Sequence, residues 1–157
     1  MKTRKAKKED IRRIDEIYVD GSIREGKLQF PKIPIKEIKK DLEKYKTSRP
    51  KGFLEEMKSK NHYWIVAENE EGGIVGFGQA WIKTKEIGML EKIYVDRKAA
   101  RQGIGLKLLK ELEKWLISKK VKFIEAGIYC KNTPSIKLNE KAGYEPISVK
   151  MQKKVKN

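Results

Sequence analysis

The beginning of the chain combines a short polar stretch with apolar residues at helical spacing. Residues 2–6 are predicted to form a strand that leads into a helix over residues 9–19, where isoleucines recur along one face. Gly21 and Gly26 are predicted to end this helix, because glycine is common just beyond helix ends. This pattern therefore predicts a strand followed by one amphipathic helix.

The next segment, residues 30–60, is helical in pattern but repeatedly interrupted. It contains three prolines and two amphipathic pieces, at residues 35–45 and 52–57. Proline removes a backbone donor and breaks a helix interior. We therefore predict short, separate helices in this segment.

The centre of the chain changes to the period of two that is typical of strands. Residues 63–68, 74–82 and 87–95 alternate in this way and are separated by turn-forming residues. Short connections of this kind join strands that run antiparallel. The three segments are therefore predicted to form an antiparallel meander.

The second half returns to alternating helices and strands. A helix is predicted at residues 103–119, a strand at 121–128 and a last strand at 147–152. A short helix lies between Thr133, which is predicted to be its N-cap, and Gly143, which is predicted to stop it. The whole order predicts a mixed α/β sheet with helices on its faces.

Length and composition limit the class of protein. At 157 residues, the chain suits a single domain, residues 1–157, with one sizeable core. The single cysteine, Cys130, excludes an intramolecular disulfide framework and suits a reducing compartment. No apolar run is long enough to cross a bilayer. We therefore expect a cytoplasmic protein without a membrane partner.

Charge is the one extreme feature of the composition. Lysine and arginine number 38 against 22 acidic residues, which gives a formal net charge of +16. Such a field favours anionic partners. Most of the basic residues are lysines, whereas arginine is preferred for recognition of bases and phosphates. We therefore interpret most of the charge as solvated surface and regard a nucleic-acid partner as the less favoured alternative.

The most informative segment is LEKIYVDRKAARQGIGLKLL, residues 90–109. A strand and a basic loop lead to Gly103 and Gly105, where an amphipathic helix begins. The first turn of a helix presents unpaired backbone N–H groups, and glycines there leave room for a phosphate. A third glycine is absent at Leu108, which argues against a dinucleotide fingerprint, and no G-K-[ST] follows. The segment predicts a pyrophosphate site, or more simply a tight strand–helix turn.

In its order of motifs, the chain resembles the GNAT superfamily of N-acetyltransferases. The acetyl-CoA motif of that family is [Q/R]-x-x-G-x-[G/A] after a strand ending in a valine-like residue. Segments at residues 4–18, 74–109 and 132–146 carry the resemblance, which covers nearly the whole length. It implies a GNAT-like acyl-CoA N-acyltransferase fold, acetyl-CoA as cosubstrate and an amine as acceptor.

The resemblance also implies which residues contact the cofactor. The strand residues would pair with the pantetheine arm through their backbone, and the loop would hold the pyrophosphate. Asn132 would bond the arm, or it would only cap the helix that follows. The residues so assigned are Ile93, Tyr94, Val95, Arg101, Gln102, Gly103, Ile104, Gly105, Leu106 and Asn132.

The chain departs from the family pattern at two positions. Ala100 stands where Gln or Arg is usual, so that one phosphate contact is lost or passes to a neighbouring arginine. Asn139 stands where many members carry a tyrosine that protonates the departing thiolate, and an amide cannot act as that acid. Either a water, another side chain or the low basicity of the thiolate itself replaces that acid, or the protein binds CoA without efficient turnover.

Two carboxylates are candidates for the base that removes a proton from the amine. Glu91 lies on the strand expected to line the cofactor, and Glu125 lies inside an apolar strand. Each could instead form a structural salt bridge; Glu91 is our first choice for the base. His62, at the start of a strand, is expected to be a surface or packing residue, and Cys130 has no histidine nearby in the sequence to make it a nucleophile. No Cys/His cluster has metal-ligand spacing, so we expect no metal.

The sequence therefore predicts a GNAT-type N-acetyltransferase that moves an acetyl group directly from acetyl-CoA to a primary amine. The amine, on a protein or a small molecule, is expected to enter from the side built by residues 20–60. One alternative is a non-catalytic acyl-CoA-binding or nucleic-acid-associated module with the same fold. Another is a basic nucleic-acid binder unrelated to CoA. A homodimer stays open, because dimers are common in similar proteins.

Overall fold

A computed structural model describes residues 1–153 and 155. Five strands form one sheet in sequence order, with the first four antiparallel and the last pair parallel. The strands are β1 (Lys2–Lys5), β2 (His62–Glu68), β3 (Ile74–Ile82), β4 (Ile87–Val95) and β5 (Phe123–Ala126). This sheet confirms the predicted mixed α/β architecture and its central meander.

Five α-helices connect and cover the strands. They are α1 (Ile11–Gln29), α2 (Ile35–Glu43), α3 (Ser48–Lys58), α4 (Ile104–Ser118) and α5 (Thr133–Lys141). Two short 3₁₀ turns, Lys8–Asp10 and Arg97–Ala99, precede α1 and α4. Helices α2 and α3 confirm that residues 30–60 are helical but interrupted, as predicted.

The sheet has a separate apolar core on each face. Helix α4 packs Leu108, Leu109 and Leu112, all fully buried, against one face. On the other face, α1 and α3 pack against β2 and β3, with Phe53 among their buried residues. Alternate residues of β2 point to opposite cores, as the period of two requires: Ile65 to the first and Trp64 to the second.

Helix α1 ends ten residues later than predicted, because neither glycine ends it. Gly21 lies inside the helix and is buried against the ring of Tyr94. A Cβ atom at Gly26 would lie 3.3 Å from Ile38 of α2. Both glycines serve close packing, and the extension places the C-terminal half of α1 beside β4.

The C-terminal part of the prediction is partly wrong. Residues 147–152 form no strand, and Ile147, Val149 and Met151 are 78%, 82% and 86% exposed. The alternating pattern is present, but the segment meets no strand edge among the residues described here. The N-cap of α5 is Asn132 and not Thr133, because the Asn132 side chain accepts the Ser135 N–H. Gly143, at a φ of 93°, follows the helix end as predicted.

Candidate active site

Strands β4 and β5 separate halfway along β4. Their parallel pairing runs from Ile87 opposite Phe123 to Leu90 opposite Ala126 and then stops. Residues 93–95 of β4 remain paired with β3 on the other side. Their backbone therefore faces an opening where β5 no longer reaches.

A bulge in β4 lies where this separation begins. Gln79 of β3 is opposite Lys92, but the next residue, Ala80, is opposite Leu90, so that Glu91 is the extra residue. A bulge bends a strand and redirects side chains. The bulge therefore accompanies the divergence of β4 from β5.

The loop after β4 leads directly to the N-terminus of α4. Asp96 caps the 3₁₀ turn Arg97–Ala99 by accepting the Lys98 N–H, and Arg101 and Gly103 have positive φ angles of 64° and 75°. A Cβ atom built on Gly103 would meet no described atom within 4 Å. The first turn of α4 therefore begins at an open surface beside exposed backbone.

Four basic side chains lie in the loop before α4 or in its first turn, and two of them have polar partners. Arg97 forms an ion pair with Asp20 at 3.2 Å, and the Lys107 ammonium donates to the carbonyl of Met1 at 2.8 Å. Lys98 and Arg101 are exposed. Positive charge thus surrounds the start of α4, as an anion site requires.

Asn132 lies at the start of α5, on the opposite side of the opening. Its side-chain oxygen accepts the Ser135 N–H at 3.3 Å, which confirms the capping role that the sequence left open. Its Nδ2 donates to Oε1 of Glu25 at 3.0 Å. The amide nitrogen carries two hydrogens, so one further donor remains for a ligand.

Tyr94 connects β4 to the same glutamate. Its hydroxyl donates to Oε2 of Glu25 at 2.9 Å, and its ring packs against Gly21. Burial, reinforced by the charge of Glu25, raises the pKa of the Tyr94 phenol far above its ordinary value, so the phenol stays protonated. Nearby, Arg24 donates to the backbone carbonyl of Val95 at 2.8 Å.

The two carboxylates predicted as bases have contacts of their own. Glu91 is exposed and accepts the indole N–H of Trp81 at 3.0 Å. Glu125 lies 3.6 Å from the ammonium of Lys83. These contacts do not bring the two carboxylates together.

A buried polar chain crosses the sheet beside the bulge, on the face covered by α3. The Lys92 ammonium donates to Gln79 at 3.0 Å and lies over the ring of Trp64, 5.4 Å from its centroid. The other end of the Gln79 amide is 2.8 Å from Nδ1 of His62. Burial lowers the pKa of Lys92. This series of hydrogen-bonded side chains was not predicted. The sequence did indicate that Lys92, two residues before Tyr94 in the same strand, points to the same face of the sheet as Tyr94.

Asn139, which the resemblance places at the position of a tyrosine, is 7% exposed. Its Nδ2 donates to the carbonyl of Ser135 at 2.9 Å. Its Oδ1 is buried and has no hydrogen-bond partner among the residues described. The nitrogen of the Asn139 amide therefore bonds within α5, whereas its oxygen is an acceptor without a partner among the described residues.

The residues around the opening fit an acyl-CoA in three respects. The β4 backbone beyond Leu90, which β5 does not pair, can bond the amides of an extended arm, although the Val95 carbonyl already accepts from Arg24. The open first turn of α4 can bind phosphates, and Asn132 keeps one free donor hydrogen. Within the described part of the chain, no cluster of His, Cys, Asp or Glu residues could hold a metal ion. No described helix is both long and apolar enough to cross a membrane.

Solved structures with similar folds include three acetyltransferases. PaiA N-acetyltransferase of Thermoplasma acidophilum, solved with coenzyme A, is 17% identical with a TM-score of 0.76, covering 95% of this chain and 92% of its own. Aminoglycoside 6'-N-acetyltransferase AAC(6')-IG of Acinetobacter haemolyticus is 15% identical with a TM-score of 0.70, covering 99% and 100%. Ribosomal-protein-alanine N-acetyltransferase of Brucella melitensis is 25% identical with a TM-score of 0.67, covering 94% and 86%.

Sequence comparison gives the family directly. No curated protein matches the chain. The model of the GNAT acetyltransferase family matches residues 32–144, which is more than half of the chain. The matched range includes the meander, the glycine-bearing loop and α5. The chain therefore belongs to the GNAT family of acetyltransferases.

Proposed function

We propose that the protein transfers an acetyl group directly from acetyl-CoA to a primary amine. The observation that carries this proposal is the opening between β4 and β5, which ends at the open first turn of α4. An extended arm in the opening and a pyrophosphate at the helix would use both features at once. The thioester of bound acetyl-CoA would supply the activated acetyl group.

The proposed cofactor contacts follow the order of the chain. Backbone groups of residues 93–95 hold the arm, the loop and first turn at residues 101–106 hold the pyrophosphate, and Asn132 bonds the arm from the opposite wall. The similar fold of the PaiA N-acetyltransferase, which was solved with coenzyme A, supports this assignment. Lys98 and Arg101 add positive charge at the phosphate end.

The acceptor amine must lose a proton before it attacks the thioester carbonyl. Glu91 and Glu125 are the bases proposed from the sequence, with Glu91 first. Glu91 is exposed and contacts only the neutral indole of Trp81, whereas Glu125 lies 3.6 Å from the ammonium of Lys83. Glu91 is therefore the stronger of these two candidates.

The acceptor class stays open between protein and small-molecule amines. The similar structures include one enzyme named for aminoglycosides and one named for a ribosomal protein's alanine. A non-catalytic acyl-CoA-binding module is the second candidate, and the absence of a tyrosine at Asn139 favours it. We propose that the protein acts in the cytoplasm as a single domain, without a membrane partner.

Thermal unfolding with and without acetyl-CoA, followed by thiol release over a panel of primary amines, tests the proposal. Acetyl-CoA at a hundredfold its Kd should stabilise the fold by about 2.7 kcal/mol. A shift in Tm together with thiol release is the expected result. A shift without release for any amine would favour the binding module, and the absence of any shift would overturn both candidates.

A further inference from the structure

Glu25 joins the two walls of the opening between β4 and β5. One carboxylate oxygen accepts from the Tyr94 hydroxyl on β4, and the other accepts from Asn132 at the start of α5. Both partners are residues that the proposed function places against acetyl-CoA. A carboxylate that contacts both walls at once lies over the gap between them.

Neutral groups alone hold this carboxylate. In the part of the chain that the structure describes, no lysine, arginine or histidine nitrogen lies within the 4.0 Å of an ion pair with Glu25. The arginines nearest in sequence and along the opening, Arg24 and Arg97, both pair with Asp20, at 3.0 and 3.2 Å. In a chain with a net charge of +16, Glu25 therefore lies beside the site without an ion-pair partner among the described residues.

The position of Glu25 distinguishes it from the carboxylates proposed above. Glu125 is already paired with Lys83, and Glu91 is turned toward Trp81 of β3. Glu25 is half-buried, and it projects from α1, on the side of the sheet from which the acceptor is expected. A partly desolvated carboxylate at that place attracts a cation more strongly than an exposed one.

We propose that Glu25 binds the ammonium group of the acceptor and accepts its proton during acetyl transfer. The inference rests on the proposed function. Glu25 takes one proton from the ammonium, and the neutral nitrogen then forms a C–N bond with the thioester carbonyl carbon. The C–S bond breaks with its electron pair on sulfur, the second nitrogen proton passes to that sulfur, and Glu25 returns its proton to solvent.

This route accounts for two features of the site. The sulfur receives its proton from the nitrogen, so the step needs no acid at Asn139. The Tyr94 hydroxyl, which stays protonated, fixes one oxygen of Glu25 and leaves the remaining lone pairs for the ammonium. Tyr94 is thus a positioning residue for Glu25.

Glu25→Gln tests the inference because glutamine keeps the size and the acceptor for Tyr94 but carries no charge and accepts no proton. We measure thiol release with acetyl-CoA and an alkylamine, and the Kd for acetyl-CoA by titration. We expect kcat/KM for the alkylamine to fall at least about 100-fold and the Kd to change less than about twofold. With hydroxylamine, which is already neutral at the assay pH, the loss should be below about tenfold.

Two further variants complete the experiment. Glu16→Gln removes a carboxylate of the same helix that pairs with Arg12 and Arg13 at the surface, and it should change none of these values. Glu25→Asp keeps a proton acceptor and should retain more activity than the glutamine variant. Both are compared with the unmodified protein at equal folded fraction, judged from the melting curve.

Each outcome decides the question. Wild-type activity in Glu25→Gln, equal losses for alkylamine and hydroxylamine, or equal losses in the Gln and Asp variants would overturn the inference while leaving the proposed function intact. A large rise in the Kd for acetyl-CoA would mean that Glu25 only positions Asn132, which also overturns it. If the unmodified protein releases no thiol with any amine, the proposed function fails and the inference fails with it.

Discussion

At the scale of single residues, the contact between Gly21 and Tyr94 sets how closely α1 approaches β4. A Cβ atom at Gly21 would lie 2.1 Å from Cδ1 of Tyr94, far closer than two carbon atoms can approach. The same contact holds Tyr94 where its hydroxyl reaches Glu25, four residues further along α1. The packing of one glycine therefore affects both the fold and the proposed site.

We expect Gly21→Ala to lower the free energy of unfolding by about 2 kcal/mol, because the tyrosine ring must move. It should also weaken the binding of acetyl-CoA. Urea unfolding and a ligand titration measure the two effects. Gly52→Ala is the matched control, because a Cβ there meets no described atom within 4 Å, and alanine in α3 should stabilise by about 0.5–1 kcal/mol. Equal behaviour of the two variants would contradict this account of Gly21.

Gly21 also shows why the predicted end of α1 was wrong. A glycine that ends a helix and a glycine that admits a ring from another element are identical in a one-dimensional pattern. Glu25 escaped notice for a related reason: a polar residue in a helix carries no local sign that two distant elements will bond to it. By contrast, the glycine-bearing segment around Gly103 could be proposed as a phosphate site from the sequence, because its glycines, basic residues and helix start lie in one continuous stretch.

At the scale of elements, β3 and β4 were predicted with their observed bounds, because successive side chains of an inner strand alternate between the two faces of the sheet. The strand predicted at residues 121–128 shrinks to Phe123–Ala126, since β5 pairs only while β4 runs beside it. The strand predicted at residues 147–152 is absent for lack of a partner. An alternating pattern shows that a segment can form a strand, whereas the presence of a partner strand depends on tertiary structure.

The start of α4 allows a test that separates folding from binding. Gly103→Ala should lower the free energy of unfolding by about 1 kcal/mol, because alanine is strained at a φ of 75°. It should also raise the Kd for acetyl-CoA at least about tenfold, because the added methyl group fills the space proposed for the phosphate. Gly143→Ala introduces similar strain at a φ of 93°, after α5 and away from the loop. It should lower stability similarly and leave the Kd unchanged. Calorimetry and titration of both variants decide, and an unchanged Kd in Gly103→Ala would remove the phosphate assignment.

At the scale of the whole molecule, one ion-pair cluster ties the N-terminal strand to the rest of the fold. Arg4 of β1 donates to Asp10 at 2.7 Å and to Glu68 of β2 at 2.6 Å. The hydrogen bonds from Arg4 lower the pKa of Asp10 below its ordinary value. A carboxyl with a lowered folded-state pKa adds stability above its unfolded pKa, and loses it as the pH falls through the folded value.

We therefore expect Arg4→Met to destabilise the protein by about 2 kcal/mol at neutral pH, because Asp10 is left buried without its partner. The difference from wild type should shrink as the pH falls below about 4 and Asp10 becomes protonated. Arg12→Met removes an arginine with a 92% exposed side chain and should change stability by less than about 0.5 kcal/mol. Urea titrations from pH 7 to pH 3 measure both. A difference that stays constant over this range would exclude the titration of Asp10 as its source.

The positive φ of Arg101 has a consequence for any attempt to engineer a hardier form of the protein. A side chain in that conformation costs on the order of 1 kcal/mol, so a library screened only for heat resistance would favour glycine at position 101. The winners of such a screen would lose a cation beside the proposed phosphate site. Directed evolution for heat resistance alone would then raise thermal stability and lower the affinity for the ligand, unless the cosubstrate is included in the selection.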